Sequence, residues 1–326
     1  MSSERKLLLL LDGHAMVFRA WFSIPERLST ATGVDTRGAY GFLNTFLRIV
    51  RERRPTHVAV AFDTAAPTFR DEMFPAYKAQ RPPVPDELHA QVPMVKKILS
   101  AFKVPVFEKD GYEADDVVGT IARLCEEQGV DVLIVTGDAD QLQLVSGATR
   151  LLMYTGFGDT RVYDVEGVKN KYGGLGPEKV PDIKAITGDP SDNIKGVPGL
   201  GEKTAIAVLT HMGTIENTLA HLDEVEKIPG LRGAKRARSL LEQFKQAALD
   251  GKKLTTIVRD VPIGFNLDDA RFWRYDRNEV VQTLLGLEFR SIIAHVPEPV
   301  VGKGGPAASP TAYPEPVEGR EPRRPD

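Results

Sequence analysis

Apolar residues gather into short runs, each of which leads into acid. Leu7 to Leu11 runs into Asp12, Val58 to Phe62 runs into Asp63, and Val132 to Val135 is followed by Asp138 and Asp140. Unbroken apolar runs of this length fit strands buried on both faces. Between them the period lengthens. Tyr40 to Val50 reads as an amphipathic helix ending in basic residues. Val92, Val95, Ile98, Leu99 and Phe102 carry helical spacing over Leu88 to Phe102, and Glu113 to Glu127 reads as a further helix. Asp140 to Val145 is expected as a short helix. Leu151 to Tyr154 and Thr160 to Tyr163 flank Gly156 and Gly158 and predict a hairpin. Strands alternating with helices predict the α/β class, with a mostly parallel sheet covered on both faces.

From about Pro177 the segments become short, helical and punctuated by Gly and Pro: Val180 to Thr187, Glu202 to Met212, Ile215 to Leu222 and Lys235 to Leu249. The reading is an α/β unit over residues 5–176, with an excursion at about 64–95, then a mostly helical unit over 177–295. Residues 296–326 are rich in Pro, Gly, Glu and Arg and predict a disordered tail or linker. The single cysteine, Cys125, excludes an intramolecular disulfide and fits a reducing cytosol. It shares the helical pattern of Val117, Ile121 and Leu124 and is read as packing. No apolar run is long enough to span a membrane. Leu7 to Leu11 is too short for a signal peptide and reads as a core strand. The formal charge of -3 argues against a polyanionic partner only if charge is evenly spread. Basic concentrations at Lys227, Arg232, Lys235, Arg236 and Arg238, and at Arg48, Arg51, Arg53 and Arg54, show that it is not.

The acids carry the chemistry. Ligands bind at the C-terminal ends of strands in open α/β sheets. Carboxylates gathered there repel one another unless cations hold them, and hard Mg²⁺ or Mn²⁺ prefer oxygen ligands. Metal-dependent phosphoryl transfer or hydrolysis is therefore expected. Glu113 and Asp116 are three apart and share a helix face, with Asp115 between them; a favourable helix dipole explains this triplet equally well. N-capping explains one strand-end acid, but poorly explains Asp12, Asp63, Asp138 and Asp140 together. Asp189 and Asp192 sit in a Gly/Pro-rich sequence that is also a good turn. In the excursion, Arg70, Lys78 and Arg81 interleave with Phe69, Phe74 and Tyr77, a pairing suited to single-stranded nucleic acid. Lys78 and Arg81 would face one way on a helix. These cations, and Arg19, also fit ordinary surface charge, and Tyr77 also fits packing. Gly196, Gly199 and Gly201 precede a helix whose free N–H groups suit a phosphate, with Lys203 adding charge. His14 is left as structural.

The motifs in order are Leu10-Leu11-Asp12-Gly13 with Arg19, Phe62-Asp63, Phe69-Arg70, Tyr77-Lys78-Ala79-Gln80-Arg81, and Gly111-Tyr112-Glu113-Ala114-Asp115-Asp116. Thr136-Gly137-Asp138-Ala139-Asp140, Gly188-Asp189-Pro190-Ser191-Asp192-Asn193 and the run Gly196 to Ala205 follow. From about Leu7 to His295 the chain resembles the 5′–3′ exonuclease domain of bacterial DNA polymerase I, within the flap endonuclease family. The resemblance implies a PIN-like nuclease domain with a parallel-rich central sheet and a helical arch over the active site, then a helix-three-turn-helix DNA-binding domain. It implies two divalent cations, Mg²⁺ or Mn²⁺, held by Asp12, Asp63, Glu113, Asp115, Asp116, Asp138, Asp140, Asp189 and Asp192. Arg19, Lys78 and Arg81 take catalytic roles. Arg70, Tyr77, Gly196, Gly199, Gly201, Lys203 and Thr204 face DNA. Relatives often hold a monovalent cation at the Gly196–Gly201 hairpin. Ala139 stands where many carry a lysine, at a position that is not a ligand.

The implied activity is a 5′–3′ exonuclease and 5′-flap endonuclease in primer removal and repair. It would act on DNA with a 5′ end or flap, with an RNA primer on DNA also in range. A DNA polymerase in cis or trans, a monomeric state and a cytoplasmic, bacterial location complete the expectation. A structure-specific DNA binder without activity, a small-molecule phosphatase and an RNA-cleaving PIN protein are the competing readings. The complete acid set argues against a decayed site.

Overall fold

The structure is a computed structural model that describes residues 5–24, 28–154 and 160–300. The expected tail beyond 300, and the turn glycines Gly156 and Gly158, lie outside the described residues. Strands β1 (Leu7–Asp12), β2 (His57–Ala61), β3 (Val106–Phe107), β4 (Asp131–Thr136), β5 (Thr149–Tyr154) and β6 (Thr160–Tyr163) form one sheet in the order β3-β2-β1-β4-β5-β6. All pairings are parallel except β5 with β6, the predicted hairpin. Every residue of β1 is buried. Leu7, Leu9 and Leu11 face one core with Val17, Phe42 and Ile98, while Leu8 and Leu10 face another with Val117 and Ile121. That is why the run shows no alternation: both faces are apolar.

Helices α1 (Gly13–Ser23), α2 (Arg37–Arg53), α3 (Phe69–Met73), α4 (Asp86–His89), α5 (Gln91–Ala101), α6 (Ala114–Glu127) and α7 (Val165–Lys171) belong to this unit. The chain builds β1, β2 and β3 outward on one side, then returns to lay β4 on the other side of β1. The strand order therefore reverses between β1 and β4, the topological switch point where open sheets bind ligands. Asp12 ends β1 there, and Asp138 follows β4 by two residues.

The helical unit comprises α8 (Val180–Thr187), α9 (Glu202–Met212), α10 (Ile215–Ala220), α11 (Leu222–Val225), α12 (Ala234–Gln243) and α13 (Lys245–Thr255). Its core joins Val180, Ile183, Val208, Leu209, Ile215 and Leu241 to Leu142, Leu151 and Tyr163 of the α/β unit. The two units thus share apolar packing at the β5–β6 end of the sheet. The expected span 177–295 does not pack as one body. Ile257, Val261 and Leu267 join the α6 face of the sheet, and Phe272, Trp273, Tyr275, Phe289 and Ile292 join the α2 face. Helix α14 (Arg277–Gly286) lies in this returning segment. Aromatic contacts drive the return: Phe272 meets Phe46 edge-on at 5.9 Å, Tyr275 meets Phe102 at 4.9 Å, and the Trp273 indole N–H donates to the Pro55 carbonyl at 2.7 Å.

The excursion also departs from expectation. A helical arch was expected to carry Lys78 and Arg81, but residues 75–80 are turns and Arg81 a bend. Pro75, Pro82 and Pro83 bracket the segment and disfavour helical backbone before each. Lys78 itself takes the left-handed conformation, φ 55°. The predicted helix over 88–102 breaks at Ala90 into α4 and α5.

Candidate active site

The acids reach the switch point because each is held by a nearby donor. Asp12 caps α1, its Oδ1 accepting from the Ala15 N–H at 3.0 Å. Asp138 caps the short 3₁₀ segment Ala139–Leu144, accepting from the Asp140 N–H at 2.8 Å. Glu113 caps α6 in a reciprocal capping box with Asp116. Asp189 accepts from the Ser191 N–H at 2.9 Å. Capping, judged a poor explanation for several strand-end acids at once, therefore does hold for Asp12 and Asp138. It coexists with clustering, because a strand-end cap points its carboxylate across the C-terminal edge of the sheet.

Asp63 lies across the cleft. Its Oδ1 accepts from the Ala114 N–H at 2.7 Å, at the positive end of α6, and its own N–H donates to His14 Nδ1 at 3.0 Å. Accepting that bond uses the Nδ1 lone pair of His14, which also lies 3.3 Å from Asp63 Oδ2. Burial lowers its pKa, against the pull of the Asp63 charge. The structural reading of His14 agrees with this geometry.

Four acids form the inner group: Asp12, Asp63, Asp115 and Asp138. Burial, then the charges of Asp138, Asp12, Glu113 and Asp63, push Asp115 well above the usual carboxylate range. Asp12 is pushed up to about 7, first by burial and then by Asp63 and Asp138, against the bonds from Ala15 and Thr136. The four charges that raise Asp115 are all carboxylates, and the donor set is all oxygen. A small, hard divalent cation fits such a group. Among the described residues no three acids already converge in metal-holding geometry. Their oxygens are turned to Thr136, Gln141, Ala15 and Ala114 instead.

The outer acids have cationic partners from this chain. Lys184 of α8 bridges Asp140 and Asp189, 2.6 Å from each. Burial and Asp138 raise Asp140 to about 6 although Lys184 opposes them, and Asp189 is lowered because Lys184 and Ser191 outweigh its burial. Lys78 pairs with Glu113 at 2.5 Å and Arg81 with Asp192 at 2.5 Å. The Lys78 N–H donates to the Asp192 carbonyl at 3.0 Å, pinning the turns to the 189–194 loop.

Three expected site residues lie elsewhere than expected. Asp116 is fully buried, and both its oxygens are taken by Arg70, at 2.6 and 2.8 Å, with the Val258 and Glu113 N–H groups as further donors. Each Asp116 oxygen thus accepts two bonds from this chain, a structural use of the acid. Arg70, 2% exposed, is its counter-ion and offers no face to DNA. Tyr77 is buried against Phe74, Ile194 and Leu254, with its hydroxyl on Glu113 and Asp192, so its ring is not open to stacking. Sequence reasoning missed Gln141, Thr136 and Lys184. Neutral Gln and Thr carry no charge signal, and Lys184 has its partners on other elements.

Arg19 of α1 donates to the Gly137 carbonyl at 3.0 Å. It lines an open groove of about 590 Å³ with Phe22, Asp138, Ala139 and Ser191. On the helical unit, Gly196 has φ 57° and leaves no room for a Cβ, which would fall 2.2 Å from the Gly188 nitrogen. Gly199, φ 91°, completes the hairpin, and Gly201 leads into α9 with its carbonyl accepting from the Thr204 N–H. Arg236 of α12 lies near Gly199, where a Cβ would fall 3.3 Å from its guanidinium, so a cation stands at the hairpin. Part of the expected basic concentration is neutralised on the surface: Lys227 pairs with Glu224, and Arg238 with Asp223.

A parallel-rich sheet with acids at its switch point, joined to a helical unit that opens on a glycine hairpin, defines a PIN-like, resolvase-like α/β nuclease fold with a SAM-type helical unit behind it. The chain belongs to the 5′–3′ exonuclease family: residues 7–173 match its N-terminal resolvase-like domain and residues 175–278 its C-terminal SAM fold. Among curated relatives, DNA polymerase I of Bacillus caldotenax is 40% identical over 90% of this chain and 33% of its own length. That of Chloroflexus aurantiacus is 41% identical over 87% of this chain and 30% of its own length. The chain thus spans about a third of the length of the curated relatives it matches. Among solved structures, a bacteriophage T5 flap endonuclease complex with DNA and metal ions is 21% identical, with TM-score 0.61 over 87% of this chain and 100% of that one. The catalytic core of Rad2 with DNA substrate is 15% identical, with TM-score 0.57 over 90% and 94%. These two share the fold. Among the described residues no helix is long and apolar enough to cross a membrane.

Proposed function

We propose that the chain is a metal-dependent 5′–3′ exonuclease and 5′-flap endonuclease that hydrolyses DNA phosphodiester bonds. The observation that carries this reading is the inner group of Asp12, Asp63, Asp115 and Asp138, whose like charges, with that of Glu113, raise Asp115. Two divalent cations, Mg²⁺ or Mn²⁺, would be held by these four, with Glu113, Asp140, Asp189 and Asp192 on the outer side. Bound there, they would supply an activated water and neutralise the leaving oxygen. The chain's own residues do the rest. Arg19, Lys78 and Arg81 stand around the cleft as cations for the scissile phosphate. The Gly196–Gly201 hairpin, the N–H groups of α9, Lys203 and Thr204 would hold a duplex by its phosphates, without reading bases. A monovalent cation at the hairpin carbonyls belongs to the same reading.

The T5 relative's DNA and metal ions, and the polymerase relatives, support DNA as substrate and a polymerase as partner in cis or trans. We place the chain in the cytoplasm as a monomer on the same reading. The test is digestion of a 5′-labelled flap beside blunt duplex, single strand, an RNA primer on DNA and RNA alone, with Mg²⁺, Mn²⁺ or EDTA. Metal-dependent release from flap and 5′ ends is expected. Cleavage of RNA alone, or binding without cleavage, would replace the reading by an RNA-cleaving protein or a non-catalytic binder.

Two further results are expected. Lys203→Ala should weaken duplex binding equally across sequences and lower the slope of log K against log salt by about one unit. An unchanged slope would remove Lys203 from the phosphate backbone. Replacing both Lys78 and Arg81 by Ala should reduce single-turnover cleavage of a flap far more than it reduces duplex affinity, by about 10²-fold or more if their contacts form in the transition state. Both cations now sit on Glu113 and Asp192, so the substrate phosphate must draw them away. Equal losses in rate and affinity would reduce them to general attraction.

A further inference from the structure

We propose that Gln141 is a positioning residue that sets the spacing of Asp12 and Asp115 before any cation arrives. Its side-chain nitrogen donates to Asp12 Oδ2 at 2.9 Å and to Asp115 Oδ1 at 2.6 Å. Both amide hydrogens are used, one on a carboxylate from β1 and one on a carboxylate from α6. Thr136 adds a bond to the same Asp12 oxygen at 2.8 Å. The bland reading is a buried glutamine that merely packs. Gln141 is fully buried, and its Oε1 has no hydrogen-bond partner. An unpaired buried acceptor costs about 1–3 kcal/mol, which Met or Leu would avoid in a purely packing role. The position is explained only if the two donated bonds matter.

Gln143, two residues on in the same 3₁₀ segment, provides the contrast. Its nitrogen donates to the Asp140 and Thr255 carbonyls and its oxygen accepts from the Ile257 N–H. That is a satisfied structural glutamine tied to backbone; Gln141 bonds to acids alone. The choice of an amide also follows from charge. Lys or Arg here would hold both acids but occupy the cation's electrostatic place, as Lys184 does between Asp140 and Asp189. A neutral double donor fixes the spacing and adds no positive charge to compete with the metal.

The inference rests on the proposed nuclease reading, and its test separates the two. Mn²⁺ and Ca²⁺ are titrated into the DNA-free protein by calorimetry, with thermal unfolding measured in EDTA. Gln141→Met should weaken cation binding by about tenfold or more, the range seen when groups that orient metal ligands are removed. It should raise by a similar factor the Mn²⁺ concentration for half-maximal single-turnover cleavage, with duplex affinity in EDTA unchanged. Gln141→Asn, too short to reach both acids, should fall between, and serves if the Met variant does not fold. Gln143→Met should lower the unfolding temperature without changing cation affinity. Cation affinity in folded Gln141→Met within twofold of the unsubstituted protein would overturn the inference alone. If the unsubstituted protein binds no Mn²⁺, the nuclease reading fails first.

Discussion

Asp115→Ala and Asp138→Ala should each abolish cleavage of a 5′-flap substrate while leaving flap binding nearly intact. A cation acting as a Lewis acid supplies several kcal/mol to the transition state, and each 1.4 kcal/mol or so is tenfold in rate. Loss of a ligand should therefore lower single-turnover cleavage by about 10³-fold or more. The hairpin and its helix lie on the other unit and keep most phosphate contacts, so affinity measured in Ca²⁺ should change by less than about threefold. The Asp115 variant carries a second expected result. Burial and four like charges disfavour its ionised form, so removing it relieves repulsion. Thermal unfolding in EDTA at neutral pH should show a protein at least as stable as the unsubstituted one. Near-normal turnover in either variant would remove the metal-centre assignment. Loss of activity together with a large loss of stability would assign Asp115 a structural role like that of its neighbour Asp116.

The fold was legible where both faces of an element are buried. Five leucines in a row can only be a core strand once a carboxylate stops them, and the alternation around them gives a parallel sheet. From that, the position of Asp12 and Asp138 at the reversal of strand order follows with no side-chain detail. The sequence misled where a cation has an unseen partner. Arg70 sits among aromatics and reads as a nucleic-acid contact, but the backbone carbonyl that takes its Nε belongs to Leu254, 184 residues on. Asp116 reads as one of a triplet of ligands because i and i+3 share a face. The capping box turns its side chain back to the Glu113 N–H, and Arg70 takes what is left. The resemblance implied a helical arch, on which Lys78 and Arg81 would face one way, and local proline spacing overrides helix at those residues. The return of residues 257–296 to the first unit was hidden because its short aromatic segments have no period of their own; only the aromatic core that receives them explains the path.

The largest stability effect is expected at that buried pair. Arg70→Ala leaves the fully buried Asp116 without its cation, and strips a donor from the Leu254 and Thr256 carbonyls at 2.8 and 3.0 Å. Burial alone would lower the guanidinium pKa; the hydrogen bonds and charge of Asp116 outweigh it and raise the pKa instead, so the pair is ionic. Removing one partner of a buried ion pair costs about 3–5 kcal/mol, because the other is left uncompensated. That is a large fraction of the roughly 5–15 kcal/mol that holds a domain folded. The bonds tie α3, the first turn of α6 and the chain leaving α13, so cleavage should fall as well, even well below the unfolding midpoint. Glu113 and Asp115 stand on that same turn. Replacing both residues by apolar groups should restore only part of the stability, since the Glu113 and Val258 N–H groups would still lack acceptors. Urea unfolding of the single and double variants gives the numbers. An unfolding free energy for Arg70→Ala within about 1 kcal/mol of the unsubstituted protein would show that the pair is not formed in solution. In that event the salt dependence of flap binding by the same variant would show whether Arg70 faces the DNA after all.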